Sequence, residues 1–360
     1  MTHTTMTQTR TGGNVSALVA LTVALAAVAH AADPSPAPPP NAVVVRARDE
    51  RTVSLFKIDA KRAARLVDSA VMRLAGEKEI GAAWRRFVSP GDRVGIKIYS
   101  NPGPVVSTRH EVVNAVIAGL RTAGVAPSRI VVFDRYEAHM ESAGYPLGQR
   151  EDGVTFAATL PERGYDPNVS VDLVPPGKLI WGDCEFHAEH AADADQVSTL
   201  SHFSLIFTQD IDRLISIPTL MSDASLGIYG CLLNASLGLV DNFRRLRRAS
   251  DVRTDSLAEL LGHELLRKKS ALHLLDGLIG QFAGGPSFDP SVCWPHQAIY
   301  AGRDPVALDT LALQQINLQR PAARIEPAEI KVPYIEAAAE AGLGVGDPKR
   351  ITLIDVVPPD

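Results

Sequence analysis

Cysteine is nearly absent from this chain: three residues in 360, Cys184, Cys231 and Cys293. They are too few and too scattered for a disulfide framework or for the cysteine series that holds an iron–sulfur cluster, although an oxidising compartment would permit one bridge with one thiol left over. Long apolar runs are missing too. Beyond the N-terminal segment no stretch reaches the roughly 18 uninterrupted apolar residues of a membrane span, so no transmembrane anchor is expected in the mature chain. Nor is there a surplus of positive charge: 36 Lys and Arg stand against 41 Asp and Glu, a net charge of −5, which argues against nucleic acid as a partner. No dinucleotide fingerprint or phosphate loop is present, so no cofactor can be named. Ala224-Ser225-Leu226-Gly227 and Ala235-Ser236-Leu237-Gly238 lack the first glycine of a nucleophile elbow, and His263-Glu264 lacks the second histidine of a zinc-protease helix.

What is present is an ordinary globular composition, 46% hydrophobic and 21% charged. Arg10, the apolar run Val15 to Val28 and then Ala29-His30-Ala31 have the form of a secretory signal, predicted to span residues 1–31. Arg10 has no neighbouring arginine and no lipid-accepting cysteine follows, so Sec export to the periplasm or outside is the expectation. Asp33 to Pro40, within a linker at 32–42, is too proline-rich to pack as helix, and folding is expected to begin near Val43.

From Val43 the pattern alternates between short apolar runs and helical spacing. Strands are predicted at Val43 to Ala47, Val94 to Ile98, Ile130 to Phe133, Leu214 to Ile217, Leu272 to Leu275, Ala298 to Tyr300 and Ile351 to Ile354. Helices are predicted at Asp59 to Leu74, Glu111 to Ala123, around Ile228 to Leu237, after Asp304-Pro305 and at Tyr334 to Ala341. Thr108 to Glu111 and Ser256 to Glu259 read as capping boxes, and Gly277 to Pro290 as a loop. The alternation predicts an α/β fold with a mostly parallel sheet and helices on both faces. Residues 137–201 break the pattern and read as an insertion or subdomain.

Ligands of open parallel sheets bind beyond the carboxyl ends of the strands. Asp134, Asp276 and Asp355 fall there, although Asp also ends strands simply because it makes turns. Lys97, an ammonium within an apolar strand, needs a partner or a ligand and is the leading polar candidate. Thr108 and Arg109 at a helix start could hold an anion, though a plain cap explains the threonine. Arg244, Arg245, Arg247 and Arg248 could grip phosphate, though such runs are usually solvated faces. Cys184, His187 and His190 have metal-ligand chemistry, but a solvated stretch is the commoner reading of such spacing.

Longer stretches are familiar. Arg93 to Lys97, Thr108 to Gly124, Ile130 to Arg135, Leu214 to Asn242, Asp276 to Phe288 and Arg303-Asp304-Pro305-Val306-Ala307-Leu308-Asp309 together resemble the domain-of-unknown-function 362 family, in its exported branch. The resemblance implies an α/β fold and leaves the activity open; some members carry ferredoxin modules, which this chain does not. It keeps Lys97, Asp134, Arg135, Asn234, Asp241, Asn242, Asp304 and Asp309. It departs where the resemblance implies a lysine and a histidine after Pro218, at Thr219 or Met221 and at Asp223, and also at Leu233 in place of a lysine and Tyr99 in place of an asparagine. Two readings follow. In one, Lys97, Asp134, Asn234 and Asp241 converge on a pocket for a small anionic or metal-bound ligand, with or without catalysis. In the other, a non-catalytic relative serves as a binding or scaffold protein, with Tyr99, Met221 and Leu233 filling the cleft.

Overall fold

The computed structural model describes residues 41–101, 103–178, 197–247 and 254–359. The predicted signal, nearly all of the linker, Arg248 and the set Cys184, His187 and His190 lie outside them. The strands in chain order are β1 Ala42–Arg48, β2 Val53–Ser54, β3 Lys57–Ile58, β4 Val94–Ile98, β5 Ile130–Tyr136, β6 Gly148–Gln149, β7 Thr155–Leu160, β8 Tyr165–Lys178, β9 Val197–Ser204, β10 Arg213–Ile217, β11 Thr219–Asp223, β12 Gly227–Ile228, β13 Ser270–Gln281, β14 Cys293–Gly302 and β15 Ile351–Val356. The helices are α1 Ala60–Ala75, α2 Ile80–Trp84, α3 His110–Thr122, α4 Glu137–Ser142, α5 Cys231–Asn234, α6 Thr254–Gly262, α7 Glu264–Lys269, α8 Pro305–Ala322 and α9 Pro333–Glu340.

Among the described residues the main sheet has 11 strands, in the order β15-β1-β14-β13-β10-β4-β5-β7-β6, with β11 and β12 attached beyond β13. Its centre, β13-β10-β4-β5-β7, is parallel throughout, and antiparallel pairs enter at β14 and at the β6 edge. The protein is therefore an α/β fold on a mostly parallel mixed sheet. Every residue of β4 is buried, as the middle of a sheet covered on both faces requires. On one face α1, α2 and α3 contribute Leu66, Val71, Trp84, Val116 and Leu120 against Ile96, Val132 and Leu274. On the other, Leu232, Leu260, Leu308 and Tyr334 of α5, α6, α8 and α9 pack against Phe133, Leu214, Leu275 and Tyr300.

Local chemistry explains α1. The Asp59 carboxylate accepts from the amides of Lys61 and Arg62, Ala63, Leu66, Val67 and Ala70 form a buried stripe, and Gly76 ends the helix at a left-handed φ of 71°. Several boundaries move for tertiary reasons. Neither predicted capping box forms. The α3 cap residue is Arg109, with no side-chain cap, because the Thr108 hydroxyl is taken by the Tyr99 amide and the Ile217 carbonyl. Ser256 lies inside α6 and donates to the carbonyl of Val174. The predicted loop from Gly277 is strand as far as Gln281, because β14 continues to pair with it across a bulge. Only Cys231–Asn234 of the predicted helix at 228–237 is α-helical, and a 3-10 turn at Leu237–Leu239 follows. Of the irregular stretch 137–201, β6 and β7 join the main sheet, while β8 pairs with β9 in a separate ribbon.

One contact sets how closely α3 lies on α2. A Cβ on Gly119 would stand 1.9 Å from the indole nitrogen of fully buried Trp84, so only glycine fits. Gly119→Ala is expected to destabilise the chain by about 1–3 kcal/mol through overpacking; a urea midpoint equal to wild type would show that the two helices separate without cost.

Candidate functional site

Lys97 is the next-to-last residue of β4, near its carboxyl end, in register with Ser216 of β10 and Phe133 of β5. Its ammonium is fully buried and donates to the Ile98 carbonyl at 2.8 Å, Asp134 Oδ1 at 2.6 Å and Asn234 Oδ1 at 3.1 Å. Asp134 completes its own shell through the Ser100 amide and hydroxyl at 2.8 and 2.5 Å and the Arg135 amide at 2.8 Å. Asn234, on α5, returns its amide to the Lys97 carbonyl and Ser216 Oγ. Burial pushes the lysine below its ordinary pKa and the Asp134 charge opposes that shift. Burial would raise Asp134, but Lys97 and the Ser100 bonds outweigh it and hold the carboxyl below its usual range.

Above this pair lies a pocket of about 310 Å³ at the carboxyl ends of β4 and β5, lined by Tyr99, Asp134, Arg135, His139, Tyr229 and Gly238 among others. Gly238 roofs the ammonium: a Cβ there would come within 3.1 Å of Lys97 Nζ. Tyr99 and Tyr229 stack with ring centroids 4.2 Å apart, and the enclosed Tyr99 hydroxyl has no hydrogen-bond partner among the described residues. Arg135 is buried, with its guanidinium 3.4 Å from the centroid of the Phe243 ring; it donates to the Leu237 carbonyl and, among the described residues, faces no carboxylate within ion-pair distance. Arg244 and Arg247 also line the pocket, Arg247 already paired with Asp223. His139 at the rim packs edge-on against Tyr136, and burial lowers its pKa.

The remaining sequence candidates do not converge here. The Arg109 amide and guanidinium meet Asp276 at 2.8 and 3.7 Å, while the guanidinium also holds the carbonyls of Val105, Ser107 and Ile279. With Thr108 they form a bracket tying the loop before α3 to β10 and β13. Asp241 accepts from the amide of His202 at 2.6 Å and meets its ring, and Asn242 holds the Ser198 and Leu200 carbonyls, so both brace β9. Asp304 caps α8 and accepts from the amide of Val345, and Asp309 accepts the Cys231 and Leu232 amides that open α5. Asp223 turns the chain between β11 and β12 through the Ser225 and Leu226 amides. Asp355 pairs with Arg46 on an exposed outer strand. Among the described residues no group of three or more His, Cys, Asp or Glu side chains could hold a metal ion.

The arginine run divides: Arg244 and Arg247 face the pocket, whereas Arg245 is buried and holds the ribbon through the carbonyls of Leu173, Pro175 and Thr199. Tyr229, His139 and Phe243 carry no sequence motif, and only the fold brings them to Tyr99. A wider cleft of about 570 Å³ lies between β11 and the 325–331 loop, but its buried charges are engaged, Asp223 by Arg247 and Arg320 by the carbonyls of Phe282 and Pro327.

These features define an α/β protein with a buried Lys–Asp–Asn core beneath a cation-lined pocket at the strand ends. The model of the domain of unknown function DUF362 matches residues 94–314, more than half of the chain and all of this site, and the chain belongs to that family. Comparison with curated proteins finds no match. A crystal structure of a Thermotoga maritima protein from a structural genomics consortium is similar over 76% of this chain and 60% of its own length, at 11% identity and a TM-score of 0.39.

Lys97→Met would strand the Asp134 carboxylate and is expected to cost about 3–5 kcal/mol. Lys97→Met with Asp134→Asn should cost clearly less than the two single changes added, as chemical denaturation of all four proteins would show. Burial raises Asp309 to about 7. The folded chain therefore holds that proton more tightly than the unfolded one, and the linked stability, full at low pH, drains as pH rises through about 7. The stability advantage of wild type over Asp309→Asn is expected to shrink between pH 4 and 7; a constant gap would mean the carboxyl is already ionised.

Proposed function

We propose that this is an exported protein, periplasmic or secreted, that binds a small organic anion in the pocket at the carboxyl ends of β4 and β5. The observation that carries the reading is Arg135, a buried guanidinium that lines the pocket and has no carboxylate partner among the described residues. A buried cation without a counter-ion is costly, and an anionic ligand would offset that cost with charge-assisted hydrogen bonds. The Tyr99 hydroxyl, unpartnered among the described residues, supplies a donor in the same pocket lining, Arg244 adds exposed positive charge, and the stacked tyrosines give an apolar wall. A pocket of about 310 Å³ suits a small molecule rather than a macromolecule. Export is supported by the signal-like N-terminal sequence, and among the described residues no helix is long and apolar enough to cross a membrane.

Binding without chemistry is favoured over catalysis by a specific arrangement. Lys97 spends its hydrogen bonds on Ile98, Asp134 and Asn234, which leaves it no role as a free base or nucleophile. Met221 and Leu233, which stand where the family resemblance implied polar groups, are core residues.

Native mass spectrometry of protein isolated from a cell-envelope extract, followed by calorimetric titration with phosphate, succinate and benzoate, tests the proposal. Tyr99→Phe is expected to leave the unliganded protein as stable as wild type or more so, since it removes an unsatisfied hydroxyl. It should weaken anion binding by about 1.5–3 kcal/mol, the worth of a hydrogen bond to a charged group. Failure of any anion to bind, with a clean unliganded mass, would sink the idea.

A further inference from the structure

At the end of β1 the chain leaves the sheet as a small finger. β2 and β3 pair as Val53 with Ile58 and Ser54 with Lys57, which leaves Leu55-Phe56 as a two-residue turn. Both turn residues have left-handed backbones, φ 48° and 63°. A turn of this kind strongly prefers Asn-Gly, because bulky side chains are strained at positive φ. Leucine and phenylalanine are therefore among the least suitable residues for the position, and the fold gains little from them in return: Leu55 is 92% exposed and Phe56 46%. Phe288, from the loop after β13, stands edge-on to Phe56 at 6.5 Å and is itself 40% exposed, so three large apolar side chains crown one protrusion.

The base of the finger is fixed. Thr52 is fully buried, the Val53 amide donates to the side chain of Gln297 at 3.0 Å, and the Asp59 amide donates to the Thr52 carbonyl at 2.8 Å. A rigid stem that carries an apolar tip against local backbone preference marks a place where a binding need has overridden foldability.

We infer that this tip inserts into the interfacial region of an anionic lipid bilayer. The surrounding charge argues for that occupant. Residues 48–62 hold five basic side chains against three acidic ones, in a chain whose net charge is −5; Arg48, Arg51 and Arg62 pair with Glu50, Asp49 and Asp59, so the surplus rests on exposed Lys57 and Lys61. Exposed Lys57 directly follows the turn, at the level that headgroup phosphates occupy once the tip is immersed. Asp289, beside Phe288, is turned onto the amide and hydroxyl of Ser291. Apolar side chains backed by basic ones are the pattern of reversible interfacial attachment. A protein partner would ask for a surface of about 800 Å² on each side, and a convex three-residue tip does not offer that. β1 runs in the same direction as β4 and β5, since β14 is antiparallel to both β1 and β13, and β13 is parallel to β10 and β10 to β4. The finger thus leaves the same edge of the sheet as the ligand pocket, although the inference stands without it.

Phe56→Trp places a reporter on the tip. Mixed with vesicles of brominated phosphatidylglycerol and phosphatidylcholine, its added fluorescence is expected to be quenched severalfold more than in brominated phosphatidylcholine alone, and less so in high salt. In parallel, Leu55→Asn combined with Phe56→Gly gives the turn its preferred residues. This protein should melt at the same or a higher temperature than wild type, yet co-sediment with the anionic vesicles at least tenfold less. An unquenched reporter, or undiminished co-sedimentation of the double variant, overturns the proposal. So does a wild-type dimer in sedimentation velocity that the double variant abolishes, which would assign the tip to a second copy of the chain.

Discussion

An ammonium group taken wholly out of water must find its charge and hydrogen-bond partners inside the protein, and Lys97 does so at the junction of three elements. β4 supplies the lysine, β5 the Asp134 carboxylate and α5 the Asn234 amide. Each partner is tied in turn: Asp134 to Ser100 and Arg135, Asn234 to Ser216 and the Lys97 carbonyl. Removal of any member leaves a buried polar group unsatisfied, so the cluster fixes the relative placement of the central strands and α5 far more tightly than apolar packing alone. The pocket exists because this cluster holds its floor.

The same arrangement explains why the most conspicuous polar residue is not the ligand contact. Lys97 is saturated and roofed by Gly238, so the open side of the site belongs to the Arg135 guanidinium and exposed Arg244, while the unspent Tyr99 hydroxyl lies enclosed in the pocket wall. Other buried charges serve as brackets. Arg109 with Asp276, Arg245 with the ribbon carbonyls and Asp309 with the α5 amides all use ionised or polar groups to pin irregular backbone that no ladder can satisfy. A chain with many loops around one sheet needs such brackets, and this accounts for most of its buried polar residues.

Among the sequence candidates, Lys97, Asp134 and Asn234 meet directly, and Arg135 lines the same pocket. Asp241, which the sequence grouped with them, instead pairs with His202 of β9. Nothing in the local sequence distinguishes an aspartate that receives a lysine from one that receives a histidine or a pair of helix amides. Tyr229, His139 and Phe243 were silent in the sequence because each is ordinary in its own segment. Their role follows from proximity to Tyr99 across more than a hundred residues in two cases, and across the β5–α4 junction in the third.

By itself the sequence determined the α/β class, the placement of β1, β4, β5, β10 and α1, and the family, because hydrophobic period, caps and turn residues act over a few positions and are written locally. It also singled out Lys97, since an ammonium in an apolar strand demands an explanation wherever the strand lies. Tertiary structure alone decided that β13 runs on to Gln281, that Thr108 and Ser256 spend their hydroxyls on distant carbonyls instead of capping, and that β8 and β9 stand apart from the main sheet. It also decided which charges became brackets and which were left facing open space. Those outcomes depend on which backbone groups lack partners after the strands have paired, a property of the whole fold that no short window of residues contains.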